Sequence, residues 1–127
     1  MATNIPNDLK YTKDHEWAKV DGETVTVGIT DFAQSQLGDI VFVELPEVGA
    51  QLEAGGAFGV VESIKSVSDL FSPITGEVLE VNSQLEETPE LCNEAPYDSW
   101  FIKLKASNLT EAENLLSPET YQEVCND

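Results

Sequence analysis

A single ammonium stands in the middle of an anionic chain. Lys65, within GVVESIKSVSDL at residues 59–70, is the one cation between Lys19 and Lys103, and that span holds sixteen carboxylates. The chain has no arginine, so all six of its cationic side chains are lysines. A lysine at a turn is usually just solvated. Three features pull against that reading here. The turn Ser63-Ile64-Lys65-Ser66 puts a stiff apolar residue and the lone cation at its two central positions. A type I turn accepts both sterically, yet an isoleucine exposed there adds nothing to stability. Glu62 and Asp69 flank the tip, so the amine sits in an anionic setting. An amine at the end of a rigid hairpin is well placed for an enzyme to modify, because it projects freely while the backbone is held.

The other reactive side chains offer less. His15 is the only histidine, which excludes a two-histidine metal site. Beside Glu16 and Trp17 it reads as a half-buried strand residue. Cys92 and Cys125 are too few for a disulfide framework and lack metal-ligand spacing, so they are expected to be reduced and unbonded. No glycine-rich phosphate loop is visible, and carboxylate pairs carry little information in a chain with 24 acidic residues. Independent catalysis is therefore not expected.

The formal charge of −18 over 127 residues repels phosphate backbones and anionic lipid, so neither nucleic acid nor membrane is an expected partner. Such a field steers the chain toward basic surfaces instead. No window reaches the roughly 18 apolar residues of a membrane span. The opening MATNIPNDLK is neither a secretory signal nor an arginine-rich presequence. The expectation is a bacterial cytoplasmic protein, or an organellar-matrix protein in a trimmed mature form.

The elements that would hold Lys65 in place are mostly short strands. HEWAKV and ETVTVGI flank Asp21-Gly22, a dipeptide suited to a two-residue hairpin with positive φ at both positions. Val25, Val27 and Ile29 alternate with Thr24, Thr26 and Gly28, giving one apolar face. TDFAQSQLG reads as a helix capped by Thr30 and closed by Gly38. DIVFVEL reads as a buried strand stopped by Pro46. AFGVVES and SVSDLFS form the two arms about Ile64 and Lys65, and GEVLEVN returns as a strand. SQLEETPELCNEAPYDS is a polar connection with one helical turn, and WFIKLKA is the last strand. In the tail, Thr110-Glu111-Ala112-Glu113 fits a capping box and Ser117-Pro118 an N-cap with proline at the first helical position. Tyr121, Val124 and Cys125 share one helix face, which makes Cys125 a packing thiol. One domain over residues 1–127 is expected, with a core at about 9–106 and a helical segment at about 107–125.

GVVESIKSVSDLFSPITGEVLEVN resembles the attachment region of a lipoyl carrier. With YTKDHEW, VGITDFAQSQLGDIVFVELPEVG, PYDSWFIKLK and SNLTEAENLLSPETY, nearly the whole chain resembles the H-protein family of the glycine cleavage system. Ile64 and Ser66 stand where a biotin carrier has methionines. The lipoyl domains of 2-oxoacid dehydrogenases lack the terminal additions present here.

The resemblance implies a mostly-β, lipoyl-domain-like barrel-sandwich hybrid of antiparallel sheets with short helices, including a helical C-terminus. It implies lipoic acid in amide linkage to Lys65, with Glu62 recognised during attachment. Glu16, Asp69 and Ile29 would dock the loaded arm. The implied function is a non-catalytic, monomeric shuttle serving four enzymes. It would take an aminomethyl group from glycine decarboxylase, a pyridoxal-phosphate enzyme, to the tetrahydrofolate-dependent aminomethyltransferase. Dihydrolipoamide dehydrogenase would reoxidise it, and a lipoylating enzyme would modify it. The alternatives are an H-like protein relaying lipoate to other complexes, or an unmodified interaction domain.

Overall fold

Alternating apolar and polar residues generate nine short strands in the computed structural model, which describes residues 5–125. Residues 1–4, the start of MATNIPNDLK, and residues 126–127 lie outside the described part. In chain order the elements are β1 (Lys10–Tyr11), β2 (Glu16–Asp21), β3 (Thr24–Ile29), α1 (Asp31–Leu37) and β4 (Ile40–Glu44). Then come β5 (Gln51–Leu52), β6 (Ala57–Ser63), β7 (Val67–Phe71), β8 (Gly76–Val81), α2 (Gln84–Glu87) and α3 (Leu91–Glu94). The chain continues through β9 (Ile102–Ala106), a 3-10 segment (Leu109–Asn114) and α4 (Pro118–Cys125).

Every strand pairing is antiparallel. One sheet runs β1-β2-β3-β9-β8-β5 and the other β4-β6-β7. They stay separate ladders and do not close into one barrel. Their inner faces meet in a shared core: Ala18, Val25, Val27, Val78, Ile102 and Leu104 from the larger sheet face Ile40, Val43, Phe58, Val61 and Leu70 from the smaller. This is the expected sandwich of alternating strands. A second cluster of Leu9, Tyr11, Trp17 and Tyr121 takes the partly buried Val124 and Cys125 of α4.

Local chemistry accounts for most boundaries. Thr30 caps α1 by accepting the Ala33 N–H, and the Gly38 N–H closes it on the Gln34 carbonyl at 3.0 Å. The Ser117 hydroxyl accepts the Thr120 N–H, and Pro118 follows as the first helical residue. Tyr121 is fully buried, and Cys125 is partly so.

Several expectations need correction. Asp21 pairs with Thr24, so the β2–β3 loop is Gly22-Glu23, and only Gly22 takes positive φ (64°). That is a glycine-first turn, which spares Asp21 for the strand. β4 is not a buried strand: Ile40 and Val43 face the core, while Val41, Phe42 and Glu44 are exposed, and it ends at Glu44, before Pro46. The connection after β8 holds two helical turns, not one. The last strand begins at Ile102, after Trp100 and Phe101. Thr110 does not cap the tail: the Asn108 side chain accepts its N–H and starts the 3-10 segment. Glu111 instead accepts from the Thr75 N–H and hydroxyl at 2.8 and 3.0 Å, tying the tail to the β7–β8 turn.

Candidate functional site

The β6–β7 hairpin ends in Ser63-Ile64-Lys65-Ser66, and Lys65 projects into solvent at its tip. The Ser63 N–H donates to the Ser66 carbonyl at 2.8 Å. The return bond is made by a side chain: the Ser63 hydroxyl oxygen accepts the Ser66 and Lys65 N–H groups at 3.1 and 3.2 Å. A serine hydroxyl replacing a carbonyl in this way is a local turn device. Ser63 itself is buried, so the device is held by packing. The Ile64 N–H donates to the Asp39 carbonyl at 3.1 Å, anchoring the tip to the α1–β4 connection. The Lys65 stem lies along that connection, its Cε 3.5 Å from where a Cβ on Gly38 would sit. The backbone is thus fixed at three points, while the exposed amine makes no ion pair among the described residues. Sequence reasoning missed Ser63 and Asp39. A serine opening a turn was the available signal for the first, whereas nothing local marks the second.

Glu62 is half-buried and stands between Phe42 and Val67 in a cross-strand row. Asp69 is exposed and lies opposite Val60, one row further from the tip.

Glu16 is not a surface carboxylate. It is 2% exposed; its two oxygens accept the Thr12 hydroxyl at 2.6 Å and the Phe71 backbone N–H at 3.3 Å. Burial raises its pKa to about 7, against the opposing pull of those two donors. Glu16 forms part of a cleft of about 240 Å³ lined also by Thr12, Phe71, Ser72, Leu115 and Leu116. Ile29 pairs directly with Glu16 across β2–β3 and is 3% exposed, so it lies in the core behind that carboxylate, not at the surface. Glu16 and Asp69 both address β7, one at its free edge beside Phe71 and one on its outer face. Those two positions on β7 are about 7 Å apart along the strand.

His15 is not in a strand. It precedes β2 with φ 72°, a left-handed conformation in which histidine is over-represented among non-glycine residues. Its Nδ1 is 2.8 Å from the Tyr121 hydroxyl, and its ring lies against Phe32. Burial lowers its pKa, outweighing the nearby Asp14. These contacts give it a structural task, fastening α4.

A rigid antiparallel sandwich presenting one lysine at a clamped hairpin tip defines the carrier class of protein: a fixed scaffold with a projecting amine. Comparison with known proteins gives the particular family. Residues 9–127 match the family model "Glycine cleavage H-protein". A glycine cleavage system H protein of Anoxybacillus flavithermus is 56% identical over 124 residues, covering 97% of this chain and 98% of that one. Another, of Rubrobacter xylanophilus, is 58% identical over 118 residues, covering 92% and 91%. The crystal structure of such a protein from Mycobacterium marinum superposes with a TM-score of 0.86 at 40% identity, over 94% of this chain and 97% of that one. The chain belongs to the glycine cleavage H-protein family, whose members are the carrier component of that system and not one of its catalysts. Among the described residues, no helix is long and apolar enough to cross a membrane.

Proposed function

We propose that the chain is a single carrier unit bearing lipoic acid in amide linkage to Lys65, and that it moves an aminomethyl group within the glycine cleavage system. The observation that carries this reading is the hairpin tip: an exposed amine on a backbone held by Ser63 and by the Asp39 carbonyl. Such a tip suits the attached group, because a stem anchored at one end samples a shell around a known point. The bound group supplies a redox-active disulfide at the end of an arm on the order of 10–15 Å long, judged from covalent dimensions.

In this reading Lys65 meets four enzymes in turn: the lipoylating enzyme, glycine decarboxylase, the aminomethyltransferase and dihydrolipoamide dehydrogenase. The strongly acidic surface guides those encounters toward basic faces, so each weakens as salt rises. A monomer in the bacterial cytoplasm fits the bacterial relatives and the two free cysteines.

Distances along β7 support docking of the loaded arm near Asp69. Asp69 lies four residues from Lys65, about 13 Å at the usual strand rise, and Phe71, where Glu16 bonds, about 20 Å. Asp69 is therefore within reach of the ammonium at the arm's end, whereas Glu16, buried and bonded to Thr12 and Phe71, lies beyond a straight arm of that length. Ile29 contributes from behind, by holding Glu16 against the core.

Intact mass after incubation with lipoate, ATP and a lipoate ligase tests the proposal. One lipoyl increment on the native chain and none on Lys65→Arg is the expected result. A biotin increment from the corresponding biotin reaction, or lipoate on another lysine, overturns it.

A further inference from the structure

The outer face of the small sheet is built from two cross-strand rows. Phe42, Glu62 and Val67 face one another across β4, β6 and β7, and Glu44, Val60 and Asp69 form the next row. Phe42 is 44% exposed, Val67 66%, and Ile64 at the tip 71%. Phe42 and Val67 stand on either side of Glu62 in one row, and exposed apolar side chains concentrated on one face mark an interaction site. Ile64 and Val67 lie in the hairpin that carries Lys65, and Phe42 on the strand paired with it. The carboxylates interleaved with them, Glu44, Glu62 and Asp69, form no ion pair with a lysine among the described residues. The ion pair found there, Lys103 with Glu80 at 3.8 Å, joins the other sheet.

We propose that Phe42, Val67 and Ile64, with Glu62 between them, form the footprint on which the enzyme that acylates Lys65 seats. This rests on Lys65 being the lipoylated residue and adds the surface by which it is recognised. The chemistry specifies the partner's matching surface: an apolar centre to cover the three side chains, and lysines or arginines opposite Glu44, Glu62 and Asp69. Interfaces combine an apolar centre with a charged rim in this way, and the charges set approach and orientation. A second copy of the chain fits poorly, because a two-fold contact would press these carboxylates against their own equivalents. Turn geometry strengthens the case for Ile64: its N–H is held by Asp39, so its side chain is presented at a fixed position.

The test is steady-state lipoylation by a purified lipoate ligase at low and high salt. The variants are Phe42→Ser/Val67→Ser, Ile64→Ser and Glu62→Lys, with Leu79→Ser on β8 as a control apolar surface residue. Because Ile64→Ser lies outside the strands, it keeps the test open if the double variant does not fold. The expected result is a KM raised tenfold or more for the apolar variants with kcat within about twofold of wild type. Glu62→Lys should raise KM and flatten its salt dependence, and Leu79→Ser should match wild type. Variants with wild-type KM, or an equal loss in Leu79→Ser, overturn the footprint while leaving Lys65 as the attachment site. A wild-type chain that never gains lipoate on Lys65 removes both. A concentration-dependent dimer in sedimentation, dissolved by Ile64→Ser, reassigns the face to a second copy and overturns the proposal.

Discussion

The Glu16 carboxylate of β2 accepts the Phe71 backbone N–H of β7 at 3.3 Å, a side chain of the six-stranded sheet closing the free edge of the three-stranded one. Its pKa of about 7, raised from 4.5 by burial, makes this contact pH-dependent. The folded state holds the Glu16 proton more tightly than the unfolded chain does. Between pH 4.5 and 7 folding therefore takes up protons, and stability falls as pH rises through that window. The full shift corresponds to about 3 kcal/mol, an upper figure. Glu16→Gln should be more favourable relative to wild type at pH 8 than at pH 5, by about 2–3 kcal/mol. Urea denaturation of both proteins at the two pH values checks this; a constant difference would contradict it.

In the proposed function, Asp69 and the same carboxylate dock the loaded arm. A partly desolvated ammonium–carboxylate contact contributes about 1.5–3 kcal/mol, which shifts a docking equilibrium by about 10- to 150-fold. Asp69→Asn, once fully lipoylated, should be loaded normally yet lose its aminomethyl group several-fold faster without the transferase. Glu16→Gln should show a smaller effect, because it lies further from Lys65. Release of the one-carbon unit, followed with time, decides it. Equal lifetimes in both variants and wild type would remove the docking role.

Tyr121 joins three parts of the chain. Its hydroxyl is 2.6 Å from the Thr30 hydroxyl and 2.8 Å from His15 Nδ1, and its ring stacks on Tyr11 at 4.6 Å. Tyr121→Phe keeps the stack and removes these hydrogen bonds together with the one to Cys125, for an expected loss of about 1–3 kcal/mol. Hydrogen exchange should show the loss concentrated in α4 and the start of α1. A uniform change across both sheets would argue against α4 being fastened here.

Gly28 sits opposite Trp17, and a Cβ there would lie 2.5 Å from the indole ring. The indole cannot easily yield, since it is buried and its Nε1 donates to the Pro96 carbonyl at 3.0 Å. Gly28→Ala should therefore cost about 1–3 kcal/mol by overpacking. A melting temperature equal to wild type would show that the ring moves freely.

The two thiols should behave differently. Cys92 is fully buried and its pKa is pushed up to about 12, whereas Cys125 is partly buried with its pKa raised. Alkylation of the native chain at pH 8 should modify Cys125 slowly and leave Cys92 intact, with both reacting after denaturation. Early modification of Cys92 would mean that α3 opens readily.

Strand alternation, caps and turn residues were readable along the chain because they depend on neighbours a few positions apart. The two arms of the Lys65 hairpin, the Thr30 cap, the Ser117-Pro118 start and the apolar face of α4 all belong to that class. The isolation of Lys65 among carboxylates and its place at a turn were equally local. Two of the failures were local as well: Gly22-Glu23 took the turn expected of Asp21-Gly22, and Asn108 took the cap expected of Thr110, because adjacent residues competed for one role. Others were decided only by packing. Phe42 and Val41 look like core in sequence, but β4 is an edge strand whose sheet has one face outside. Nothing near Glu16 in the sequence marks it as buried, yet β2 delivers it to Phe71, 55 residues away. His15 leaves the strand to meet Tyr121, 106 residues on. A residue's period in the chain tells which side of its own strand it occupies. What lies on that side depends on contacts between distant segments, and only the tertiary structure brings those together.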